Sequence, residues 1–247
     1  MSQVWIVSTK KRYVEAEMET NQEFAYKDLH RLMTLMTGDE KHTFSATSTL
    51  DVLWVLYDRI LRIDPSGPRA PDRDRFLLSK GHGPMAFYAV LAAKGFIPEQ
   101  MLGSFADYDS PLGQHPDRTL VPGVEIGSGS LGHGMPIAVG MALALWARGA
   151  DDPSVHCMVG DAELDEGSNS EAICLAGRRG LSNLTVIAVD NASASHGWPG
   201  GIERRFLIEG WAGVRVDGRD HDAIEDAFRT DHPDAPLVIV ASVLERG

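Results

Sequence analysis

Cysteine is scarce in this chain. Only Cys157 and Cys174 occur among 247 residues, too few and too far apart for a disulfide framework or a cysteine-based metal site. Both fall in apolar periodic stretches, where they read as core residues suited to a reducing compartment. Positive charge is also in short supply. Lys and Arg number 23 against 35 Asp and Glu, for a formal charge of −12, and this argues against nucleic acid or an anionic membrane as partner, since both require a basic face. Long hydrophobic runs are missing too. The longest mostly apolar stretch, Met135 to Ala147, falls short of the roughly 20 residues that span a bilayer. The first residues lack the basic, apolar, small-residue order of a secretory leader, so the expected location is cytoplasmic. No internal repeat is visible. What remains is a length and a 43% hydrophobic content that suit one large α/β core. Residues 1 to 21 show no clear period and read as an N-terminal arm; 22 to 247 read as a single domain.

The most informative stretch runs from Ser154 to Asn191. The apolar run Val155 to Val159 meets Gly160-Asp161, and the run Leu184 to Val189 meets Asp190-Asn191. Between them, Glu166 to Arg179 reads as a helix whose buried side comprises Ala172, Ile173, Leu175 and Ala176, with Gly180 as its C-terminal cap. Strand, helix, strand with this spacing is a parallel βαβ unit whose crossover is expected to be right-handed. Ligands of such sheets sit beyond the carboxyl ends of the strands, which places Asp161 and Asn191 side by side at the ligand edge. A carboxylate and an amide oxygen are hard ligands, sufficient for Mg2+ that also draws oxygens from a diphosphate. Gly160 permits close backbone approach, and the following helix start presents free N–H groups to phosphates.

Upstream, Glu23 to Met36 carries apolar residues at helical spacing. After a polar segment containing His42, Leu50, Leu53, Leu56, Ile60 and Leu61 mark a core helix. Arg75 to Leu78 reads as a short strand and Pro84 to Lys94 as a helix capped by Gly95. Ser79-Lys80-Gly81-His82-Gly83 therefore occupies a second strand-to-helix corner, where small residues let an anion approach. Gly127, Gly129 and Gly132 fit G-x-G-x-x-G, but Pro122 and Gly123 spoil the preceding strand and no acidic strand end follows at the required distance, so a dinucleotide site is disfavoured. Ile137, Ala138, Met141, Ala142 and Leu145 then form a helix side expected to pack on the sheet. After Asn191 comes ASASHGWPGG, a small-residue loop suited to covering a ligand. One more strand, a helix from about His221, and a strand from Pro236 to Leu244 complete the pattern.

Four segments, in order, carry a resemblance: PDRDRFLLSKGHG, GSLGHGMPIAVGMALA, GDAELDEGSNSEA and LTVIAVDN. Together they resemble the thiamine-diphosphate-binding half of the transketolase family. That implies an α/β fold with a mostly parallel sheet and helices on both faces. It implies thiamine diphosphate and Mg2+, or another divalent cation such as Ca2+, with Asp161, Asn191 and the backbone carbonyl of Ser193 as metal ligands. His82, Gly160 and Ala162 would lie at the diphosphate, and Gly129 and Leu131 at the aminopyrimidine ring. His42 and His115 would stand near the reacting atoms, and Glu166 at the subunit interface. The chain departs from the family at Ala162, which replaces a Gly, at Ser170, which replaces a Trp, and around His42, where Lys41, Thr43 and Phe44 stand in place of a Gly-His-Pro-Gly-Gly segment.

The family's remaining half carries a pyrimidine-binding domain with the Glu that activates the cofactor. The resemblance therefore implies a partner, a separate C-terminal subunit. The two would form a hetero-oligomer such as a heterotetramer and transfer a two-carbon ketol unit from a ketose or 2-oxoacid donor. Two other readings stand beside it: two-carbon transfer to a carrier protein by a related two-component enzyme, and a regulatory paralogue without catalysis.

Overall fold

The structure, a computed structural model, describes residues 24–36, 48–81, 83–150, 152–194 and 197–243. The arm expected at 1 to 21 lies outside the described residues, as do His42 and His82. Five strands form one sheet: β1 Arg75–Leu78, β2 Val155–Gly160, β3 Leu184–Asp190, β4 Ala212–Asp217 and β5 Leu237–Ser242. Their order is β1-β2-β3-β5-β4 and every pairing is parallel, so all carboxyl ends open onto one edge. The helices are α1 Tyr26–Thr34, α2 Leu50–Val55, α3 Pro84–Ala93, α4 Gly134–Ala147, α5 Gly167–Arg179, α6 Ile202–Leu207 and α7 His221–Phe228.

Strand side chains alternate between faces, and the core divides accordingly. Phe76, Leu78, Met158, Ile187 and Val189 point to one side with buried residues of α1, α2 and α3. Leu77, Cys157, Val159, Val186 and Ala188 point to the other with α4, α5 and Phe206 of α6. Because both faces are covered, the inner strands are buried along almost their whole length, the reason they read as continuous apolar runs and not as alternating ones. Gly180 takes the left-handed cap conformation anticipated for it, at φ 60°. Among the described residues no helix is long and apolar enough to cross a membrane.

Two helix faces differ from the expectation. Leu175 and Ile137 are exposed, and the buried side of α4 is Met135, Ala138, Val139, Ala142 and Leu145. The cause is composition: α4 is apolar all round, so periodicity does not say which side meets the sheet. The short helix α6 was also not anticipated; its six residues lie within a stretch dominated by charge.

Candidate functional site

At the carboxyl edge, β2 and β3 pair up to Gly160 opposite Val189, and the Asp161 N–H continues the ladder to the Val189 carbonyl at 3.1 Å. Asp161 and Asn191 are thus neighbours at adjoining strand ends, as the spacing predicts. The Asp161 side chain is buried, and its carboxylate is held by four donors. Oδ1 accepts from the Ala162 N–H at 2.8 Å and the Ser193 hydroxyl at 2.5 Å; Oδ2 accepts from the N–H groups of Ser193 at 2.7 Å and Ala194 at 3.1 Å. The loop after β3 therefore folds back onto Asp161. It does so through Ala192, whose φ of 57° is left-handed, a conformation that costs a non-glycine residue about 1 kcal/mol or more. Within this turn the Asn191 Oδ1 is buried and has no hydrogen-bond partner. Buried acceptors are nearly always satisfied, so an orphan at a ligand edge marks a place for a donor or a cation. Among the described residues no three His, Cys, Asp or Glu side chains gather as a cage; of the two expected side-chain ligands, Asp161 already accepts four hydrogen bonds and the Asn191 amide oxygen is the one without a partner.

Glu163 is a site residue that the sequence did not reveal. It is 2% exposed and joins three corners of the crevice: Oε1 accepts from the Ser79 hydroxyl at the end of β1 and from the Gly132 N–H at 3.0 Å, while Oε2 accepts from the Gly160 N–H at 3.4 Å. Burial pushes its carboxyl up, against the pull of these donors and of the Lys80 charge. Lys80 is buried as well, its ammonium pushed down by desolvation and back up by Asp161 and Glu163. Its stem runs within 3.5 Å of where a Cβ on Gly160 would stand. A polar residue in a short 3-10 turn has no periodicity to flag it, so only the fold exposes the role of Glu163.

The segment before α4 closes the other side. Gly129, at φ 113°, lies under the His115 ring, whose Cγ would be 2.7 Å from any Cβ placed there. The Leu131 side chain reaches the β1 corner, with its Cδ2 3.0 Å from the Cβ position of Gly81. Gly134 packs on Ser79 so closely that a Cβ would meet the Ser79 Cβ at 2.4 Å. His115, Gly129 and Leu131 are thereby brought into one group against the Ser79–Gly81 corner. Glu166 occupies the N-cap position of α5, exposed, with its stem against Gly132; Ser168 ties the same turn by donating to the Gly132 carbonyl at 2.6 Å.

The loop between β3 and α6 is more anchored than its small residues suggest. Trp198 packs against the core on the α5 side, and the Arg205 guanidinium stacks 3.7 Å from its ring while bonding the Ser170 hydroxyl. An aromatic ring from the loop thus comes close to α5 at the residue where the family's Trp is absent.

A parallel α/β sheet with glycine-lined corners and a buried carboxylate and an unsatisfied amide oxygen at adjoining strand ends defines the class of open α/β proteins whose ligands sit at the carboxyl edge. The particular family follows from comparison. Residues 34–244 match the family model described as transketolase, thiamine diphosphate binding domain, and the chain belongs to the transketolase family. A protein of Rhodococcoides fascians named ferredoxin fas2 is 55% identical over 90% of this chain and 73% of its own length. One of the subunits of the apulose-4-phosphate transketolase of Actinobacillus succinogenes is 35% identical over 81% of this chain and 75% of its own. A transketolase from Pichia stipitis superposes with a TM-score of 0.73 at 25% identity, covering 88% of this chain and 36% of that one. The chain thus spans about a third of that solved transketolase.

Proposed function

We propose that this chain is the thiamine-diphosphate-binding subunit of a two-component transketolase, and that it transfers a two-carbon ketol unit when paired with a second polypeptide carrying the pyrimidine-binding half. The observation that carries the reading is the buried, unpartnered Asn191 Oδ1 at the strand end that adjoins the one bearing the buried Asp161. Together with the Ser193 carbonyl these oxygens suit a Mg2+ ion that shares a diphosphate, because Mg2+ takes few protein ligands and completes its shell from phosphate and water. The match to the apulose-4-phosphate transketolase subunit over three quarters of its length supports the two-component assignment. The two cysteines, one fully buried, are too few for the four-cysteine iron–sulfur site of ferredoxins, so the name of the Rhodococcoides fascians relative is not carried over.

In this reading Asp161 and Asn191 hold the metal, and the Gly160 turn with the start of α5 and His82 receives the diphosphate. Gly129 and Leu131 orient the aminopyrimidine ring. His115, exposed over Gly129, is available at the mouth of the site to bond the substrate carbonyl, and His42 is assigned to the same pocket. Thiamine diphosphate, when bound, supplies the electron sink for cleavage of the donor's carbon–carbon bond. Glu166 lies at the surface the partner covers. The test is donor cleavage followed by product chromatography on the purified chain with and without its co-purifying polypeptide. Turnover is expected only with both. Robust turnover by the chain alone would sink the two-component assignment, and a complex that binds cofactor but cleaves neither ketose nor 2-oxoacid would identify a regulatory paralogue.

A further inference from the structure

The loop that carries Asn191 is tied at both ends to a single side chain. Arg215 lies on the edge strand β4 and reaches across the carboxyl ends of its neighbours. Its Nη1 donates to the Ser242 hydroxyl of β5 at 2.7 Å and to Asp190 Oδ2 of β3 at 2.8 Å. Its Nε and Nη2 grip Glu203 of α6 through both carboxylate oxygens, at 2.9 and 2.7 Å. Asp190 immediately precedes Asn191, and Glu203 stands in the first turn of the helix where the loop ends. Four of the five guanidinium donors are engaged, and two carboxylates that would repel each other share one cation.

A simple exposed ion pair contributes little, because solvent screens it and two long side chains must be ordered. This one differs in geometry: the Glu203 contact is bidentate, and the Asp190 contact is made from a strand end already fixed by the Val243 N–H donating to the Asp190 carbonyl at 2.9 Å. The loop also needs an external restraint. Ala192 holds a left-handed backbone without being glycine, and such a residue persists only where its surroundings over-determine it. On its C-terminal side Ser193 and Ala194 are bonded to Asp161; on its N-terminal side the Asp190 backbone is held by the sheet and its side chain by Arg215, which also holds Glu203 at the far end of the loop. Asn191 Oδ1 stands between the two clamps.

We infer that Arg215 is a positioning residue that staples the two ends of the connection between β3 and α6, residues 191–194 and 197–201, so that the Asn191 amide oxygen is presented at the strand end beside Asp161 before any ligand arrives. The inference rests on the reading of Asn191 as a metal ligand. Arg215 acts through Asp190 and does not bond Asn191 itself, so its removal is expected at the lower end of the about 10- to 100-fold that a direct outer partner of a metal ligand contributes, and Lys is no substitute because it lacks the planar fork that holds two carboxylates at once.

The test uses the full chain as wild type, R215M, R215K and, as a control for loss of a surface cation, R31M, whose Arg31–Glu99 pair lies elsewhere on the surface. Hydrogen exchange of the 191–201 amides without ligand is read first, then Mn2+ binding in the presence of thiamine diphosphate by calorimetry. R215M is expected to speed loop exchange at least tenfold and weaken Mn2+ by about 10-fold or more, R215K to restore neither, and R31M to change neither. Unchanged loop exchange in R215M would overturn the staple. Faster exchange with unchanged Mn2+ affinity would overturn its positioning role. Absence of Mn2+ binding by the wild-type chain both alone and assembled with its co-purifying polypeptide, while R215M still loosens the loop, would count against the metal reading and leave the staple supported.

Discussion

At the scale of single residues, the site is a set of charged and polar groups whose burial is justified only by what they hold. Asp161→Ala and Asn191→Ala are each expected to weaken thiamine diphosphate and Mg2+ binding together, since on the proposed reading both supply one metal centre; calorimetric titration with and without Mg2+ checks this, and unchanged affinity in both variants would remove the centre. Ala162 is half-buried and its N–H already bonds Asp161, so Ala162→Gly is expected to tighten or preserve cofactor affinity, and a clear loss would mean that the backbone has been rebuilt around the methyl group. Glu163→Ala leaves the Ser79 hydroxyl and two backbone N–H groups without their acceptor in a buried corner, which is expected to cost about 2–4 kcal/mol in urea unfolding. Glu163→Gln keeps an acceptor oxygen and should lose much less.

At the scale of elements, the site depends on close approaches that only glycine permits. Gly134 sets α4 directly on the end of β1, and Gly177 sets α5 against the turn before β4, where an added Cβ would fall 1.9 Å from the Glu209 carbonyl oxygen. Gly177→Ala therefore forces helix and turn apart, an overpacking worth about 1–3 kcal/mol or more, measurable as a lower urea midpoint. That α5 also presents its N-terminus to the cofactor edge means the same variant should weaken cofactor binding. Stability loss with unimpaired binding would show that the helix start is fixed independently, through Ser168 and Gly132.

At the scale of the whole molecule, stability has a built-in pH dependence far from the cofactor edge. His156 of β2 is buried against Phe228, its Nδ1 unpartnered, and burial holds its pKa down at about 4 from an ordinary 6.5, with the Asp74 charge opposing and those of Arg62 and His232 adding. Between these values the unfolded chain takes up a proton that the folded chain refuses. The His156 contribution to stability is therefore full above about pH 6.5, falls as pH drops, and levels off below about 4. The loss on going from about pH 7 to about pH 5 is expected to be on the order of 2 kcal/mol, measured by urea unfolding, and His156→Leu should abolish that component. Partner binding belongs to this scale too: if the cofactor is shared between two polypeptides, each should raise affinity for the other, because linked equilibria are reciprocal.

The parallel α/β framework and the carboxyl edge that gathers Asp161 and Asn191 were legible in the chain alone. Apolar runs that end in Gly160-Asp161 and Asp190-Asn191, separated by one helix, admit almost no other arrangement, since a parallel crossover returns both strand ends to the same side. The cap at Gly180 and the β1 corner were legible in the same way, and the family through the four segments that resemble it. The exposed faces of α4 and α5, the clamp made by Glu163, the contact of His115 with Gly129, the approach of Trp198 to α5 and the reach of Arg215 to Asp190 and Glu203 emerged only once the chain was folded. Each of these joins residues from separate elements, and a side chain's partner across such a distance depends on how strands are ordered and helices rotated, which local spacing does not encode.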